Sequence, residues 1–525
     1  MKSFANNLKD IKSYGQSENI LRKPVFRGSA IFPVIKNDIC TSRILFMGYW
    51  KLKRGITEIG LLATLRSENG EIIFRKSLLI DDIKAYRIEL DDLLNECGCT
   101  INDFVGSIEM EIFSARDLVF PFPAFVLNYY GEEFSSTVHS VGRIYNDIED
   151  MNDNSSVNVP ETGFDIYPDD NYEPFFSITN GQLENDNVFI KYKITNNDGD
   201  FTKGKAEFGR FEPYQTKIFK IKEFADISVL GDSKGSISLS HNFTGIFPRW
   251  VAGNFTEAGQ NNITHTYYDL TGKNSEDDYW PVSDDRFHDI SIAFPVFMND
   301  KLYSEIAFYP IYSECEFDVD FVFYDKDGII IHKEMDADFI STDFLKNHYI
   351  NFNELLAESV NNLECIKSVL ACYRFKGKIP TRLTSGLNIG YKHAKKGIST
   401  NICFTADPGN SKLLEKKFAF KWAPIMNVGR SIVTVQNRSI LKEYDRTATI
   451  NIVIVNEENT TTLERVAKIP PFGTYSLDTE TDTELKNFLG KGTGWITVQS
   501  DVPYINSWYF DFNEKTGIIA GDHSF

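Results

Sequence analysis

The sequence predicts an all-β chain of four tandem antiparallel β-sandwich domains, arranged as two copies of a two-domain unit, A-B-A′-B′. Three observations support this prediction: repetition at a long period, short strands with alternating polarity, and turn dipeptides between those strands. With 525 residues, the chain exceeds the length at which one hydrophobic core stops growing, so several domains are expected. Aromatic residues make up 14% of the chain, enough to fill several cores.

Two pairs of motifs carry the repetition. Ala30–Asn37 (Ala-Ile-Phe-Pro-Val-Ile-Lys-Asn) recurs 262 positions later as Ile292–Asn299 (Ile-Ala-Phe-Pro-Val-Phe-Met-Asn). Phe211–Thr216 (Phe-Glu-Pro-Tyr-Gln-Thr) recurs 258 positions later as Ile469–Thr474 (Ile-Pro-Pro-Phe-Gly-Thr). The first and third segments are therefore matched, as are the second and fourth, and we interpret the chain as a duplicated A-B pair.

Polar stretches separate segments of common domain size. The stretch at 146–160 is acidic and rich in asparagine, and shorter polar clusters divide the remaining segments. The predicted bounds are 1–23 for a polar N-terminal extension, 24–148 for domain A, 160–272 for B, 285–409 for A′ and 415–525 for B′.

Within each segment, apolar runs rich in β-branched and aromatic residues predict strands. One example from each segment is Thr57–Leu65, Val188–Ile194, Phe317–Tyr324 and Ala448–Val455. Asn-Gly or Asp-Gly follows three of these runs, which predicts hairpin turns that end at Gly70, Gly199 and Gly328. Helical periodicity is brief and predicts only short helices, at Leu90–Glu96, Phe352–Val360 and Thr483–Leu489.

Charge and cysteine usage narrow the classes of partner and compartment. The net charge of −19 argues against binding to nucleic acid or to an anionic membrane surface, because both require clustered lysine and arginine. The seven cysteines have irregular spacings that fit neither a zinc motif nor a disulfide framework. No apolar signal segment is visible at the N-terminus and no run of 18 apolar residues occurs, so a cytoplasmic protein is expected.

Each segment closes with the same pattern, which predicts two antiparallel strands joined by a short loop. The last strand places His139, His265, Cys403 and His523 at equivalent positions. We considered a shared metal site and discounted it, because equivalent positions in four separate domains are expected to lie far apart. Two interpretations remain: half-buried side chains that bond a neighbouring strand, and polar contacts to a ligand.

Aromatic and amide side chains near this closing block suggest a sugar site. Trp250 lies close to Asn254, and Trp508 lies close to Asn513. An aromatic ring covers the apolar face of a sugar while amides bond its hydroxyl groups, although aromatic residues on a sandwich strand also serve as core. The motifs of nucleotide-binding and hydrolytic enzymes do not occur in a suitable setting, so no catalytic residue is predicted.

The fourth segment resembles the sensory rhodopsin transducer family of small β-sandwich domains. An apolar strand ending in Asn456, the motif Ile469–Thr474, the turn Leu477-Asp478 and the run Gly494–Pro503 (Gly-Trp-Ile-Thr-Val-Gln-Ser-Asp-Val-Pro) carry the resemblance. The first and third segments lack the Ser-Asp-x-Pro edge and depart most from the pattern. The resemblance implies small-molecule binding modules, for sugars, that tend to form oligomers.

From these observations we expect a non-enzymatic protein that binds carbohydrate or a sugar derivative, in bacterial surface-polysaccharide metabolism, without metal or cofactor. The alternatives are a scaffold that forms homo-oligomers and a sugar-modifying enzyme with a site at a domain junction. The candidate ligand-binding residues, taken from the closing blocks and from the family resemblance, are Asn128, Tyr129, His139, Trp250, Asn254, His265, Trp508, Asn513 and His523.

Overall fold

The computed structural model describes most of the chain between residues 25 and 525. The described ranges are 25–118, 123–132, 134–139, 142–144, 161–247, 249–257, 259–266, 279–280, 287–310, 315–377, 379–380, 383–394, 398–410, 417–439, 444–458 and 461–525. The predicted N-terminal extension at 1–23 and the acidic linker at 146–160 lie outside these ranges.

Domain A is a sandwich of two four-stranded antiparallel sheets. Its strands in chain order, β1 to β8, are Phe26–Lys36, Thr41–Met47, Ile59–Ser67, Ile72–Ile80, Ala85–Glu89, Phe104–Ser114, Val126–Tyr130 and Ser135–His139. The first sheet has the order β1-β6-β3-β4 and the second has the order β5-β2-β7-β8. Two short helices, α1 (Tyr49–Arg54) and α2 (Leu90–Glu96), follow β2 and β5, and the short strand β9 (Arg143–Ile144) follows the domain.

Domain B repeats this arrangement with the sheets β10-β15-β12-β13 and β14-β11-β17-β18, where the numbers follow the chain. Its strands, β10 to β18, are Glu161–Ile166, Glu173–Thr179, Asn185–Thr195, Phe201–Phe211, Thr216–Lys220, Gly235–His241, Ile246–Phe247, Val251–Thr256 and Gly259–His265. The additional short strand β16 pairs with β9 and so joins domain B to domain A.

Domain A′ contains the strands β20 to β29, and β19 (Tyr279–Trp280) precedes it. They are Phe287–Pro295, Leu302–Phe308, Phe317–Tyr324, Ile330–Ile340, His348–Asn351, Ser368–Phe375, Ile379–Pro380, Thr384–Tyr391, Ile402–Thr405 and Asp407–Asn410. Its sheets have the orders β23-β22-β25-β20-β29 and β24-β21-β27-β28, and β19 pairs with β26. The helix α3 is Phe352–Leu355, shorter than the predicted Phe352–Val360.

Domain B′ contains the strands β30 to β37 and the helix α4 (Thr483–Leu489). The strands are Ala419–Ile425, Arg430–Asn437, Ala448–Val455, Leu463–Ile469, Thr474–Asp478, Gly494–Ser500, Ile505–Asn513 and Ile518–His523. The sheets are β30-β35-β32-β33 and β34-β31-β36-β37. If the eight principal strands of each domain are numbered one to eight, all four domains have the same two orders, 1-6-3-4 and 5-2-7-8. The predicted all-β A-B-A′-B′ repeat is confirmed.

The repeated sequence motifs correspond to equivalent structural positions. Phe32 and Phe294 lie on the first strands of A and A′, and both side chains are fully buried between the two sheets of their own domain. Burying one phenylalanine contributes about 1.5–3 kcal/mol. The predicted hairpin turns are also confirmed: Gly70, Gly199 and Gly328 have φ of 86°, 88° and 78°, the left-handed region that favours glycine.

The domains contact each other in sequence through one recurring pair of elements. The turn between the third and fourth strands of a domain, called here the 3–4 turn, meets the loop that leads into the fifth strand of the next domain. From A to B, the amide of Thr216 donates a hydrogen bond to the carbonyl of Glu68 at 2.9 Å. From A′ to B′, the amide of Thr474 donates to the carbonyl of Lys326, also at 2.9 Å.

The other two junctions use the same elements. From B to A′, the side chain of Asn347 donates to the carbonyl of Thr195 at 2.6 Å and accepts from the hydroxyl of Ser236 at 2.6 Å. From B′ to A, the amide of Ala85 donates to the carbonyl of Asn456 at 3.1 Å. The contacts therefore run from A to B, A′, B′ and back to A, and the four domains form a closed ring with head-to-tail interfaces.

The eighth strands of the four domains lie at the centre of this ring. Each is the edge strand of its second sheet, and β8 lies against both β18 and β37, while β28 contacts the same two strands. An unpaired strand edge is a site for unwanted pairing with other chains, and here the four edges cover one another. No helix in the described ranges is long and apolar enough to cross a membrane. The seven cysteines are free thiols.

Candidate functional site

The four residues singled out at the closing strands are equivalent by sheet register. His139 pairs with Val126, His265 with Val251, Cys403 with Gly386 and His523 with Trp508. In each case the partner lies on the seventh strand of the same domain. The strand pairing predicted from the repeated closing pattern is therefore present in all four domains.

Three of these four side chains meet at the centre of the ring. The imidazole centroids of His139 and His265 are 4.8 Å apart, and those of His139 and His523 are 4.4 Å apart. We call His139, His265 and His523 the histidine triad. The expectation that equivalent positions lie far apart was wrong, because the ring brings the eighth strands together. Cys403, the fourth equivalent residue, belongs instead to the hydrophobic cluster of domain B.

Hydrogen bonds fix the orientation of each ring in the triad. His139 Nδ1 lies 2.7 Å from a carboxylate oxygen of Asp522, which also accepts the backbone amide of His139 at 3.0 Å. His265 Nδ1 lies 3.2 Å from the carbonyl oxygen of Thr266, and His523 Nδ1 lies 3.1 Å from that of Ser524. Carbonyl and carboxylate oxygens only accept, so each Nδ1 carries a proton.

The guanidinium of Arg249 lies between two members of the triad. Its Nη2 is 3.0 Å from His265 Nε2 and 3.4 Å from His139 Nε2, so it donates to these lone pairs. Burial lowers the pKa of His265 well below its usual range, and the positive charge of Arg249 adds to this effect. Burial, followed by the neighbouring His139, lowers the pKa of His523 to about 4. Both rings are therefore neutral at pH 7.

A pocket of about 270 Å³ opens beside the triad where domains A, B and B′ meet. We call it the junction pocket. It combines an aromatic wall, an apolar floor and several cationic side chains. Its lining residues are Tyr49, Lys53, Arg54, Leu118, Pro123, Ala124, His139, Arg249, Trp422 and Phe525.

The aromatic wall of the junction pocket is a stack of three rings. Trp422 is central, with the Tyr49 centroid at 4.8 Å and the Phe525 centroid at 5.8 Å, both at interplanar angles near 20°. The C-terminal residue Phe525 is held there by two backbone hydrogen bonds with Trp422. Lys53 Nζ lies 4.3 Å above the Trp422 ring, which is a cation–π contact.

Lys53 and Arg54 are available to an anion. Within the described part of the chain, neither residue forms a salt bridge, and no aspartate or glutamate side chain lines the pocket. Both residues lie on α1, which ends at Gly55 in a left-handed conformation with φ of 60°. A chain with a net charge of −19 thus presents a locally positive concave surface here.

Most of the predicted ligand residues lie inside the sandwiches instead of lining this pocket. His139 is the predicted residue that contributes to the lining. Asn128 is fully buried and bonds Arg43 at 2.7 Å and Ser135 at 2.9 Å, and the Tyr129 hydroxyl donates to the carbonyl of Pro33 at 2.8 Å. These groups already have intramolecular partners, so in this conformation they support the fold.

The remaining predicted residues have similar surroundings. Trp250 is buried and stacks on Phe176 at 5.5 Å, and Trp508 is buried with Phe404 at 5.8 Å. The fully buried Asn254 approaches another buried amide at 3.4 Å. Asn513 accepts two backbone amides in the turn before β37. The structure therefore brings the three histidines together, with Trp508 in edge contact with His523 at a centroid distance of 6.0 Å. The predicted tryptophans and asparagines do not line the junction pocket.

Sequence reasoning missed the other residues of the junction pocket. A signal was present for three of them, because the segment Tyr49–Arg54 (Tyr-Trp-Lys-Leu-Lys-Arg) combines two aromatic with three basic residues in an acidic chain. Arg249 directly precedes the predicted Trp250. Nothing local marked Trp422 and Phe525, since their proximity depends on how the C-terminus crosses to β30.

A second cavity, of about 380 Å³, lies between domains A′ and B′. Its principal charges are already neutralised, because Arg430 bonds Asp478 through two nitrogens at 3.1 Å and 2.6 Å. This cavity offers less attraction for a charged ligand than the junction pocket.

Comparison with known proteins does not assign the chain to a family. It matches no protein-family model and no curated protein. Among solved structures it is similar to "Biofilm associated protein - BSP domain", with 9% identity, alignment over 94% of this chain and 95% of that one, and a TM-score of 0.16. A TM-score this low does not establish a shared fold. The resemblance to the sensory rhodopsin transducer family stays a prediction.

Proposed function

We propose that the chain is a non-enzymatic carbohydrate-binding protein whose junction pocket takes a sugar bearing a carboxylate, sulfate or phosphate group. The observation that carries this proposal is the combination of a stacked aromatic wall with Lys53, Arg54 and Arg249 in one concave surface. Aromatic rings accommodate the apolar face of a sugar, and guanidinium and ammonium groups bind its anionic substituent.

The pocket size fits a small ligand. A volume of about 270 Å³ is close to the lower end of ordinary ligand sites, so we expect one or two sugar rings to enter. Hydrogen bonds to charged groups contribute about 1.5–3 kcal/mol each, so removal of one cation should weaken binding about tenfold or more. Glycoside hydrolysis ordinarily uses a pair of aspartate or glutamate side chains, and the described lining supplies neither.

A glycan array followed by calorimetry tests this function. We expect acidic glycans to bind and their neutral counterparts to bind at least tenfold more weakly. The variants Lys53→Gln and Arg54→Gln should each lose about tenfold in affinity for an acidic glycan. Lys51→Gln is the matched control, because Lys51 lies on the same helix but bonds the carbonyl of Asp81 and does not line the pocket.

Two results would count against the proposal. One is the absence of any glycan binding across a broad array. The other is equal loss of affinity in Lys51→Gln and Lys53→Gln, because a general effect of net charge would then explain the binding. Affinity should also decrease as ionic strength rises, since salt screens exposed charges.

A second candidate function is a scaffold that assembles with copies of itself. The fourth strands of the four domains, β4, β13, β23 and β33, are edge strands of the first sheets and carry exposed apolar side chains. Exposed edges of this kind can pair with another chain. The clearest examples are Ile72, Leu79, Phe201, Ile330 and Val466, which are 46–72% exposed. A monomeric mass in light scattering would remove this candidate.

A further inference from the structure

We propose that the histidine triad binds a divalent transition-metal ion of the zinc class through the three Nε2 atoms, at the position now held by the Arg249 guanidinium. The site shares His139 and Arg249 with the junction pocket, but metal binding is measured without carbohydrate and so fails or succeeds separately. It would tie together domains A, B and B′, each of which contributes one ligand.

The first support is the orientation of the rings. All three Nδ1 atoms donate to oxygen acceptors, so the neutral form of each ring presents the lone pair of its Nε2 atom. Histidines that bind metal ions almost always donate their other ring N–H to a carboxylate or a backbone carbonyl, and this bond fixes the tautomer. The triad has one carboxylate partner and two carbonyl partners, so its rings are already arranged as ligands.

The second support is the position of Asp522. One of its oxygens accepts both the ring and the backbone amide of His139, and the other accepts the amide of His523 at 2.8 Å. Asp522 therefore links β8 to β37 and holds two of the ligands in place. The ligand atoms of His139, Asp522 and His523 all lie within 4.8 Å of one another, and His265 lies beside this group, with its ring centroid 4.8 Å from that of His139. The carboxylate also supplies negative charge beside the ion.

The third support is the place of Arg249. Its Nη2 atom marks a point that is 3.0 Å from one Nε2 and 3.4 Å from another. A zinc–nitrogen bond is about 2.0–2.1 Å, so ring movements of about 1 Å would bring these nitrogens into range. Arg249 also lines the junction pocket, which gives its side chain space to withdraw when an ion binds.

Two charges act on a bound ion in opposite directions. The Asp522 carboxylate, which is bonded to His139, attracts the ion. Arg249 is the competing positive charge, and an ion must displace it. Three protein nitrogens would leave one coordination position open toward the pocket, where water or an anionic ligand group can bind.

Titration with Co²⁺ and Zn²⁺ tests the assignment. We expect the full chain to bind one ion, with the visible absorption of four-coordinate Co²⁺ that Zn²⁺ then abolishes by displacement. His139→Ala, His265→Ala and His523→Ala should each weaken binding by about 100-fold or more. Asp522→Asn should weaken it about 10–100-fold, as removal of an orienting partner does. Arg249→Met should tighten it, because the competing cation is gone.

His332→Ala is the matched control, since its Nε2 bonds Glu334 on β23 away from the triad, and it should bind as the natural chain does. If the triad variants do not fold, the ¹⁵N shifts of the three Nε2 atoms on Zn²⁺ addition to the natural chain decide the question. Three results would overturn the assignment: no ion bound by the natural chain, unchanged binding in folded triad variants, or zinc-insensitive Nε2 shifts. Weakened binding in Arg249→Met would also overturn it.

Discussion

A single methyl group at the A–B junction should test how rigidly the ring is closed. Gly70 lies in the 3–4 turn of domain A with φ of 86°, and a Cβ there would stand 2.2 Å from the carbonyl oxygen of Pro213 and 2.9 Å from the carbonyl carbon of Tyr214. Both contacts are to backbone of the neighbouring domain, so they cannot be relieved by a rotamer change.

The expected magnitude for Gly70→Ala has two parts. A left-handed conformation costs a residue with a side chain about 1–2 kcal/mol relative to glycine. Overpacking against a fixed backbone adds about 1–3 kcal/mol. The free energy of unfolding should therefore decrease by about 2–5 kcal/mol, and hydrogen exchange should increase at the amide of Thr216, whose bond to Glu68 spans the junction.

Gly98→Ala is the matched control in the same domain. Its φ is 76°, and a Cβ there would meet no atom within 4 Å, so only the conformational part applies. Urea denaturation and scanning calorimetry of both variants isolate the interdomain part by difference. Equal destabilisation in the two variants would refute the reasoning, because the junction would then accommodate the methyl group. Gly328→Ala should behave like Gly70→Ala, since its Cβ would stand 2.0 Å from the carbonyl oxygen of Pro471.

Two further predictions concern buried polar groups. Burial raises the pKa of Asp165 from 3.8 to about 6 despite the nearby Lys234, with Glu305 adding to the rise, so the folded state binds the proton more tightly than the unfolded state. The free energy of unfolding should therefore decrease by up to about 3 kcal/mol as pH rises from 4 to above 6. In Asp165→Asn this pH dependence should disappear, as measured by urea denaturation at several pH values. The same pH dependence in the variant and the natural chain would contradict the assignment. Tyr129→Phe should lower the free energy of unfolding by about 1 kcal/mol, because the carbonyl of Pro33 loses its hydrogen-bond donor. Calorimetry should show unchanged affinity for an acidic glycan. A loss of affinity at unchanged stability would instead indicate that Tyr129 contacts the ligand.

Local patterns were sufficient to predict many, although not all, of the strands and helices. Ala448–Val455 and Phe317–Tyr324 were predicted strands and are β32 and β22, and Leu90–Glu96 and Thr483–Leu489 were predicted helices and are α2 and α4. The helix α1 was missed because Trp50 is its only buried residue among the described positions, so it has no apolar period to detect.

The ring was not predictable from local patterns, because each interface joins segments far apart in the sequence. A signal nevertheless existed. Glu68 and Lys326 are separated by 258 positions, and so are their hydrogen-bond partners Thr216 and Thr474. A shared offset on both sides of a contact is what a duplicated interface produces. The shared offset of the two pairs therefore indicates that the 3–4 turn of one domain contacts the loop before the fifth strand of the next.

The histidine triad illustrates the same point for the site. Repetition identified His139, His265 and His523 as equivalent residues, but their distance depends on the arrangement of whole domains. If the four domains were independent and joined by flexible linkers, the three histidines would lie in separate domains without contact. A ring places equivalent strands around one centre, so the residues that the repeat marks become neighbours.

The head-to-tail contacts also describe how such a chain can arise from a shorter one. An A-B unit alone has one 3–4 turn without a loop to receive it, on domain B, and one loop without a turn, on domain A. Two such units can satisfy each other and form a symmetric dimer with four domains. Duplication and fusion then convert a dimer, whose assembly depends on concentration, into a single chain in which the partner is always present. Once fused, the two halves are free to diverge, and the equivalent positions of A and A′ now hold different residues, His139 and Cys403.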